Sequence, residues 1–94
     1  MDPKTKDYSF LVADDHKIIT HSLSFIIKSI FKDSKIDQVN KLGEVMKSLL
    51  ANSFHMIILD ISFPDGNTLQ IIPTIRNLYP DLKILIFSGQ EEEL

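Results

Sequence analysis

Three short apolar runs divide the chain, and polar or turn-forming residues follow each of them at once. The runs occupy residues 10–13, 56–59 and 84–87. Near-continuous apolar runs of this length are typical of parallel strands that are covered on both faces. A fourth segment, KIDQVN at 35–40, alternates apolar residues with charged and amide residues. This alternation indicates a strand at the outside of a sheet.

The segments between these runs carry apolar residues at the three- and four-residue steps of an amphipathic helix. The pattern predicts helices over 16–32, 41–51 and about 68–79. Asp15 is predicted to cap the first helix, because aspartate is a favoured N-cap residue. Pro73 would lie past the first turn of the third helix, and we expect it to bend that helix.

The predicted elements alternate from strand to helix along the whole chain. This order predicts an α/β fold with a doubly wound parallel sheet. Because crossovers between parallel strands are right-handed, few arrangements remain, and the best of them has strand order 2-1-3-4. The strands at 10–13 and 56–59 are then central neighbours, with 35–40 outside the first and 84–87 outside the third.

Composition and charge narrow the class of protein. The 94 residues fit one small domain, and a hydrophobic content of 44% supplies a core. A net charge of −3 argues against direct binding of nucleic acid. The chain has no cysteine, which excludes disulfides and thiolate metal sites. No apolar run approaches the roughly 20 residues of a membrane span and no signal peptide opens the chain, so we predict a cytoplasmic domain.

Acidic and hydroxyl side chains follow the predicted strands, at the end of a parallel sheet where ligands bind. Asp14 and Asp15 follow the first strand, Asp60 follows the third and Ser88 follows the fourth. Three carboxylates at one place need a neutralising cation or raised pKa values. Only oxygen ligands are available there, which favours Mg²⁺. An aspartate beside such an ion can attack phosphorus, so we predict Asp60 as the nucleophile and Ser88 as a hydrogen-bond donor to a phosphoryl oxygen.

Three stretches resemble the receiver domains of bacterial two-component response regulators. They are LVADDH at 11–16, IILDISFPDGNTLQII at 57–72 and ILIFSG at 84–89. The resemblance covers essentially the whole chain and implies a flavodoxin-like fold. It also implies a signalling switch that a sensor histidine kinase phosphorylates in the presence of Mg²⁺, rather than a conventional turnover enzyme. The DDH opening is most similar to the subgroup that carries a C-terminal helix-turn-helix and regulates transcription.

The resemblance assigns roles by position. Asp14 and Asp15 match the acidic pair that binds the metal ion, and Asp60 matches the phosphorylated aspartate, which is also a metal ligand. The main-chain carbonyl of Ser62 matches a further metal ligand. Ser88 matches the hydroxyl residue that moves towards the phosphoryl group on activation.

The chain departs from the family pattern at two places. The fifth strand, its lysine and the last helices are missing, so residues 1–94 are expected to be the N-terminal part of an incomplete receiver domain. Strand four then becomes an unpaired apolar edge, which predicts self-association through 84–87. Thr68 stands where the family often has glycine, and we expect the turn to have shifted to 66–67.

Two other functions fit parts of the pattern. One is a hydrolase with an aspartyl-phosphate intermediate, similar to haloacid-dehalogenase-like phosphatases. Those proteins have DxD after the first strand, whereas here the aspartates are adjacent and His16 follows them. The other is a receiver that is never phosphorylated and serves as a dimerisation module. His16, His21 and His55 are interpreted as solvated residues without a catalytic role, and Asp65 as part of a turn. His16 is expected to lie close to the acidic residues, where it could act on them electrostatically.

Overall fold

The apolar runs form the centre of a parallel sheet in the computed structural model, which describes residues 7–88 of the chain. The four strands of this sheet pair in the order predicted from the sequence, with the second strand outside the first and the last strand outside the third. Two further two-residue strands form a small antiparallel hairpin after the third strand. The strands are β1 (Ser9–Ala13), β2 (Lys35–Val39), β3 (Met56–Asp60), β4 (Ser62–Phe63), β5 (Gly66–Asn67) and β6 (Lys83–Phe87).

Helices cover the sheet on both faces. They are α1 (Lys17–Ile30), α2 (Leu42–Ala51) and α3 (Ile72–Leu78), with a short 3₁₀ helix at Thr68–Gln70. On one face, residues of α2 and α3 such as Val45 and Ile75 pack in one core cluster with Leu59 of β3. On the other face, Ile27 of α1 packs with apolar residues of β1 and β3. The doubly wound α/β prediction is therefore confirmed, and its strand order 2-1-3-4 corresponds to β2-β1-β3-β6.

The beginnings of two helices differ from the sequence prediction. α1 begins at Lys17 with His16 as its N-cap residue, so the prediction that Asp15 caps this helix is wrong. The predicted helix over 68–79 is interrupted: the side chain of Asn67 caps a separate 3₁₀ turn, and α3 begins only at Ile72. Pro73 consequently lies in the first turn of α3, where a missing N–H costs nothing, and the predicted bend is also wrong.

The β4–β5 hairpin follows β3 along the chain and contacts the beginning of α2. Gly66 has φ of +152°, and no other residue between 7 and 88 has a positive φ. The turn itself lies at residues 64–65 and Gly66–Asn67 form β5, so the prediction of a turn at 66–67 is wrong, although the positive φ does fall on Gly66. A Cβ on Gly66 would lie 2.9 Å from Leu42 Cδ2. The Asp65 carboxylate accepts hydrogen bonds from the Leu42 N–H at 2.9 Å and the Gly43 N–H at 3.0 Å. Asp65 is thus more than a turn residue, since it caps α2 from a distant part of the chain.

The lengths and polarities of the helices bear on membrane insertion. Between residues 7 and 88, every helix is too short or too polar to cross a bilayer. The ends of the predicted domain, residues 1–6 and 89–94, lie outside the described residues.

Candidate functional site

The register of the sheet brings the predicted acidic residues to one place. β1 and β3 are neighbours with Ala13 opposite Leu59, so the residues that follow, Asp14 and Asp60, leave the sheet side by side. β6 pairs with β3 through Phe87 opposite Asp60. The carboxyl ends of these three strands therefore meet, as expected of a ligand site in an open parallel sheet.

The carboxylates form a compact and mostly buried group. Asp14 and Asp60 are almost fully buried, at 0% and 1% exposure, and Asp15 is partly exposed. One ligand atom from each of the three aspartates, together with one ring nitrogen of His16, lie within 4.8 Å of one another. Asp14 Oδ2 is buried and has no hydrogen-bond partner among the described residues. A buried carboxylate oxygen without a donor is costly, so this group is suited to a bound cation.

His16 belongs to the same group, whereas the sequence interpretation placed it only close to the acidic residues, with no direct contact. Its Nδ1 lies 2.9 Å from Asp14 Oδ1 and 3.2 Å from Asp15 Oδ1. Its backbone N–H donates to Asp14 Oδ1 at 2.8 Å. The hydrogen bond to Asp14, followed by the charge of Asp15, raises the pKa of His16 above 6.5. The signal that could have revealed it is the position of the histidine directly after the acidic pair, before the helix begins.

Ser62 and Ser88 follow the ends of two neighbouring strands, β3 and β6, in the sequence. Ser62 opens β4, two residues after Asp60, and is paired with Asn67 across the hairpin. Ser88 follows β6 directly, and its side chain is exposed. Because Phe87 is the partner of Asp60 in the sheet, Ser88 lies at the carboxyl end of the sheet, as the aspartates do.

Comparison with known proteins decides the family. The family model described as response regulator receiver domain matches residues 10–94. The chain belongs to this family. The resemblance inferred from the three sequence stretches is thereby confirmed, and the protein is a receiver domain of the response regulators of two-component systems.

Two curated relatives illustrate where such receiver domains occur. Stress response regulator protein 1 of Candida albicans is 35% identical over 74 residues, which cover 79% of this chain and 26% of the relative. The DNA-binding transcriptional activator DevR/DosR of Mycobacterium tuberculosis is 29% identical over 83 residues, which cover 85% of this chain and 36% of the relative. The receiver domain thus spans about a quarter to a third of the length of these relatives.

A solved structure supports the fold and the character of the site. The response regulator protein TrrA from Thermotoga maritima, in complex with Mg²⁺ and a beryllium fluoride, matches with a TM-score of 0.79 and 25% identity. The match covers 89% of this chain and 71% of that chain. Members of this fold are therefore known with Mg²⁺ bound.

The acidic group of this receiver domain fits a Mg²⁺ ion. Ligands of an octahedral Mg²⁺ at about 2.1 Å lie about 3.0 Å apart when adjacent and about 4.2 Å apart when opposite. The ligand atoms of the group lie within 4.8 Å of one another, which is close to these separations. Asp14 Oδ2 is available as a ligand, and Asp15 is exposed enough to leave the ion some of its water.

Thr68 holds the backbone at Asp60. Its side chain is fully buried, and its hydroxyl donates to the main-chain carbonyl of Asp60. Its backbone N–H donates to the carbonyl of Ile61 at 2.9 Å, and Ile61 N–H donates to Phe87 O at 2.7 Å. The residue that replaces the family's frequent glycine therefore ties the third and sixth strands to the hairpin. Sequence reasoning treated Thr68 only as a steric departure and missed this contact.

Proposed function

We propose that this receiver domain accepts a phosphoryl group on Asp60 from the phosphohistidine of a sensor histidine kinase, in a transfer that depends on Mg²⁺. The observation that supports the proposal is the pair of buried carboxylates, Asp14 and Asp60. Within residues 7–88, the Asp14 Oδ2 atom beside the predicted acceptor has no hydrogen-bond partner. Burial of carboxylates is costly unless their charge is compensated, and a bound cation would compensate the charge of this pair.

The transfer is a substitution at phosphorus. An Asp60 carboxylate oxygen attacks the phosphorus atom, the bond from phosphorus to the donor's imidazole nitrogen breaks, and an acyl phosphate forms while the imidazole leaves. The bound Mg²⁺ would neutralise the charge of the phosphoryl oxygens. Asp14, Asp15, Asp60 and the carbonyl of Ser62 would hold that ion. Ser88, exposed at the carboxyl end of β6, would hydrogen-bond a phosphoryl oxygen.

The module would act as a switch and not as a turnover enzyme. Its relatives include DNA-binding transcriptional regulators of which the receiver is a minor part. We therefore propose that phosphorylation of Asp60 regulates transcription through another domain of the same protein. The cytoplasmic location and the absence of nucleic-acid contacts in this domain remain predictions from the sequence.

A second property, self-association, has an observation in its favour. Within residues 7–88, β6 pairs with β3 only and forms the outer strand of the sheet. Leu85 of this strand is 49% exposed. We propose that the isolated chain associates with a second copy through β6 or the face beside it, because an uncovered apolar edge strand favours pairing with another chain.

The phosphoacceptor role can be tested by mass spectrometry of the intact protein. After incubation with acetyl phosphate or phosphoramidate and Mg²⁺, the full-length protein should carry one added phosphoryl group. Asp60→Asn should abolish the addition, whereas Asp37→Asn, at an exposed aspartate of β2, should leave it intact. An addition that survives in Asp60→Asn, or none in the wild type, would contradict the proposal. Steady release of phosphate from p-nitrophenyl phosphate would favour the hydrolase instead.

A further inference from the structure

The metal site of this receiver domain contains a nitrogen donor that an all-oxygen Mg²⁺ site lacks. We propose that the His16 imidazole is a ligand of the bound ion, so that the site takes a divalent transition-metal ion of the Co²⁺ type more tightly than Mg²⁺. The inference rests on the proposed function, because it concerns the same ion site. It adds the ligand His16 and the class of metal.

The distances around His16 Nδ1 suit coordination of a shared ion. Its separations from Asp14 Oδ1 and Asp15 Oδ1 are 2.9 and 3.2 Å. Adjacent ligands on an octahedral ion with bonds of about 2.1 Å lie about 3.0 Å apart, so Nδ1 and Asp15 Oδ1 are already spaced as two ligands of one ion, beside the Asp14 carboxylate. An oxygen of the Asp60 carboxylate, on the neighbouring strand β3, lies within the same 4.8 Å group.

The unpartnered oxygen gives the site a ligand that no protein contact occupies. Asp14 Oδ1 accepts the backbone N–H and lies against the ring of His16, whereas Asp14 Oδ2 is buried without a hydrogen bond in the described part of the chain. An ion bound to Oδ2 would compensate the burial of the Asp14 carboxylate and leave the Oδ1 contact with the His16 backbone in place.

The backbone holds His16 where its ring can serve the ion. His16 is the N-cap residue of α1 with extended φ and ψ of −98° and 110°, and its side chain makes no capping bond to the helix. The ring is 56% exposed, so it is accessible to an incoming ion. Its side-chain contacts therefore point to the acidic group and not to the helix.

The choice of metal follows from the donor atoms. Mg²⁺ prefers oxygen ligands and keeps several waters, so it gains little from an imidazole. Co²⁺, Ni²⁺ and Zn²⁺ bind imidazole well, and the affinity of mixed nitrogen and oxygen sites rises along the first-row series from Mn²⁺ to Cu²⁺. With three carboxylates and one imidazole, this site should discriminate in favour of those ions.

The test compares Co²⁺ and Mg²⁺ in the untagged protein by isothermal titration calorimetry. The wild type should bind Co²⁺ more tightly than Mg²⁺, and His16→Ala should weaken Co²⁺ at least about tenfold, the scale on which groups around a metal affect its affinity. The affinity for Mg²⁺ should stay the same. His21→Ala, at an exposed histidine of α1, is the matched control and should behave as the wild type.

Proton NMR of the Co²⁺-loaded protein provides the direct readout of ligation. The wild type and His21→Ala should show a strongly shifted, exchangeable imidazole N–H signal, and His16→Ala should lack it. Absence of this signal in the wild type, or an unchanged Co²⁺ to Mg²⁺ affinity ratio in His16→Ala, overturns the role of His16 while leaving the Mg²⁺ proposal standing. Failure of both ions to bind the wild type overturns the metal site altogether.

Discussion

The hydrogen bond from Thr68 to the Asp60 backbone makes a sharp prediction about stability. The perturbation is Thr68→Val, which keeps the shape of the side chain and replaces only its hydroxyl by a methyl group. Thr68 is fully buried, and its hydroxyl donates to the carbonyl of Asp60, which is itself almost fully buried. Both residues are shielded from solvent, so water has poor access to that carbonyl once the hydroxyl is removed. In the valine variant, the Asp60 carbonyl therefore loses the hydrogen bond from the residue 68 side chain.

The expected magnitude follows from the burial of both partners. A net hydrogen bond contributes about 0.5 to 1.5 kcal/mol, and an acceptor that loses a buried partner costs about 1 to 3 kcal/mol. The added methyl group offsets part of this loss by the burial of more apolar surface. We expect the free energy of unfolding to fall by about 1 to 2 kcal/mol. For a domain of this size, each kcal/mol lowers Tm by about 4 to 8 °C.

The assay is urea or thermal unfolding followed by circular dichroism, with Thr20→Val as the matched control. Thr20 is also buried, but its hydroxyl donates to Lys17 O at 3.0 Å within the first turn of α1. Lys17 is an exposed residue, so water can reach its carbonyl once the hydroxyl is removed. Thr20→Val should therefore cost less than Thr68→Val. Equal costs for the two variants would refute the reasoning, because the Asp60 contact would then contribute nothing of its own.

Two further predictions concern the hairpin and the outer strand. Hydrogen bonds from two backbone N–H groups at the start of α2 lower the pKa of Asp65 from its ordinary value of 3.8. The ionised Asp65 carboxylate therefore stabilises the fold above pH 3.8, and this stabilisation is lost as the pH falls through the lower pKa of the folded state. Asp65→Ala should lower Tm at neutral pH, with a difference from the wild type that shrinks below about pH 4; a constant difference, or the same loss in the exposed Asp33→Ala, would contradict this. In static light scattering, the mass of the wild type should rise with concentration and Leu85→Lys should suppress the rise. Leu78→Lys, at a leucine of similar exposure on α3, should leave the rise in mass unchanged. A wild type that stays monomeric at high concentration would contradict the proposed association.

Much of the fold was predictable because the hydrophobic pattern reflects burial directly. The runs that became β1, β3 and β6 are apolar on both faces of the sheet, and the right-handed crossover rule left one good strand order. The boundaries of α1 and α3 were predicted less well. A cap depends on where one side chain points, as at Asn67 and His16, and composition does not contain that information.

The candidate site divides in the same way. Asp14, Asp15 and Asp60 were predictable because the residues after parallel strands meet at one end of the sheet in any such topology. The contacts of His16 and Thr68 were not, because each depends on which rotamer the neighbouring strands and hairpin allow. The capping of α2 by Asp65, at 22 and 23 residues' separation, was equally hidden from local sequence reasoning.

The residue pattern was enough to predict an α/β fold with a doubly wound parallel sheet and acidic residues at the ends of its strands, and the resemblance of three stretches added the receiver family. This is so because periodicity and strand-end residues are local properties that survive in any conformation of the chain. The three-dimensional packing was needed to show that one oxygen of Asp14 is buried without a hydrogen-bond partner among residues 7–88, and that an imidazole and a threonine hydroxyl contact the acidic residues. These properties depend on side-chain orientations and on distances of about 3 Å between atoms, and packing sets both of them.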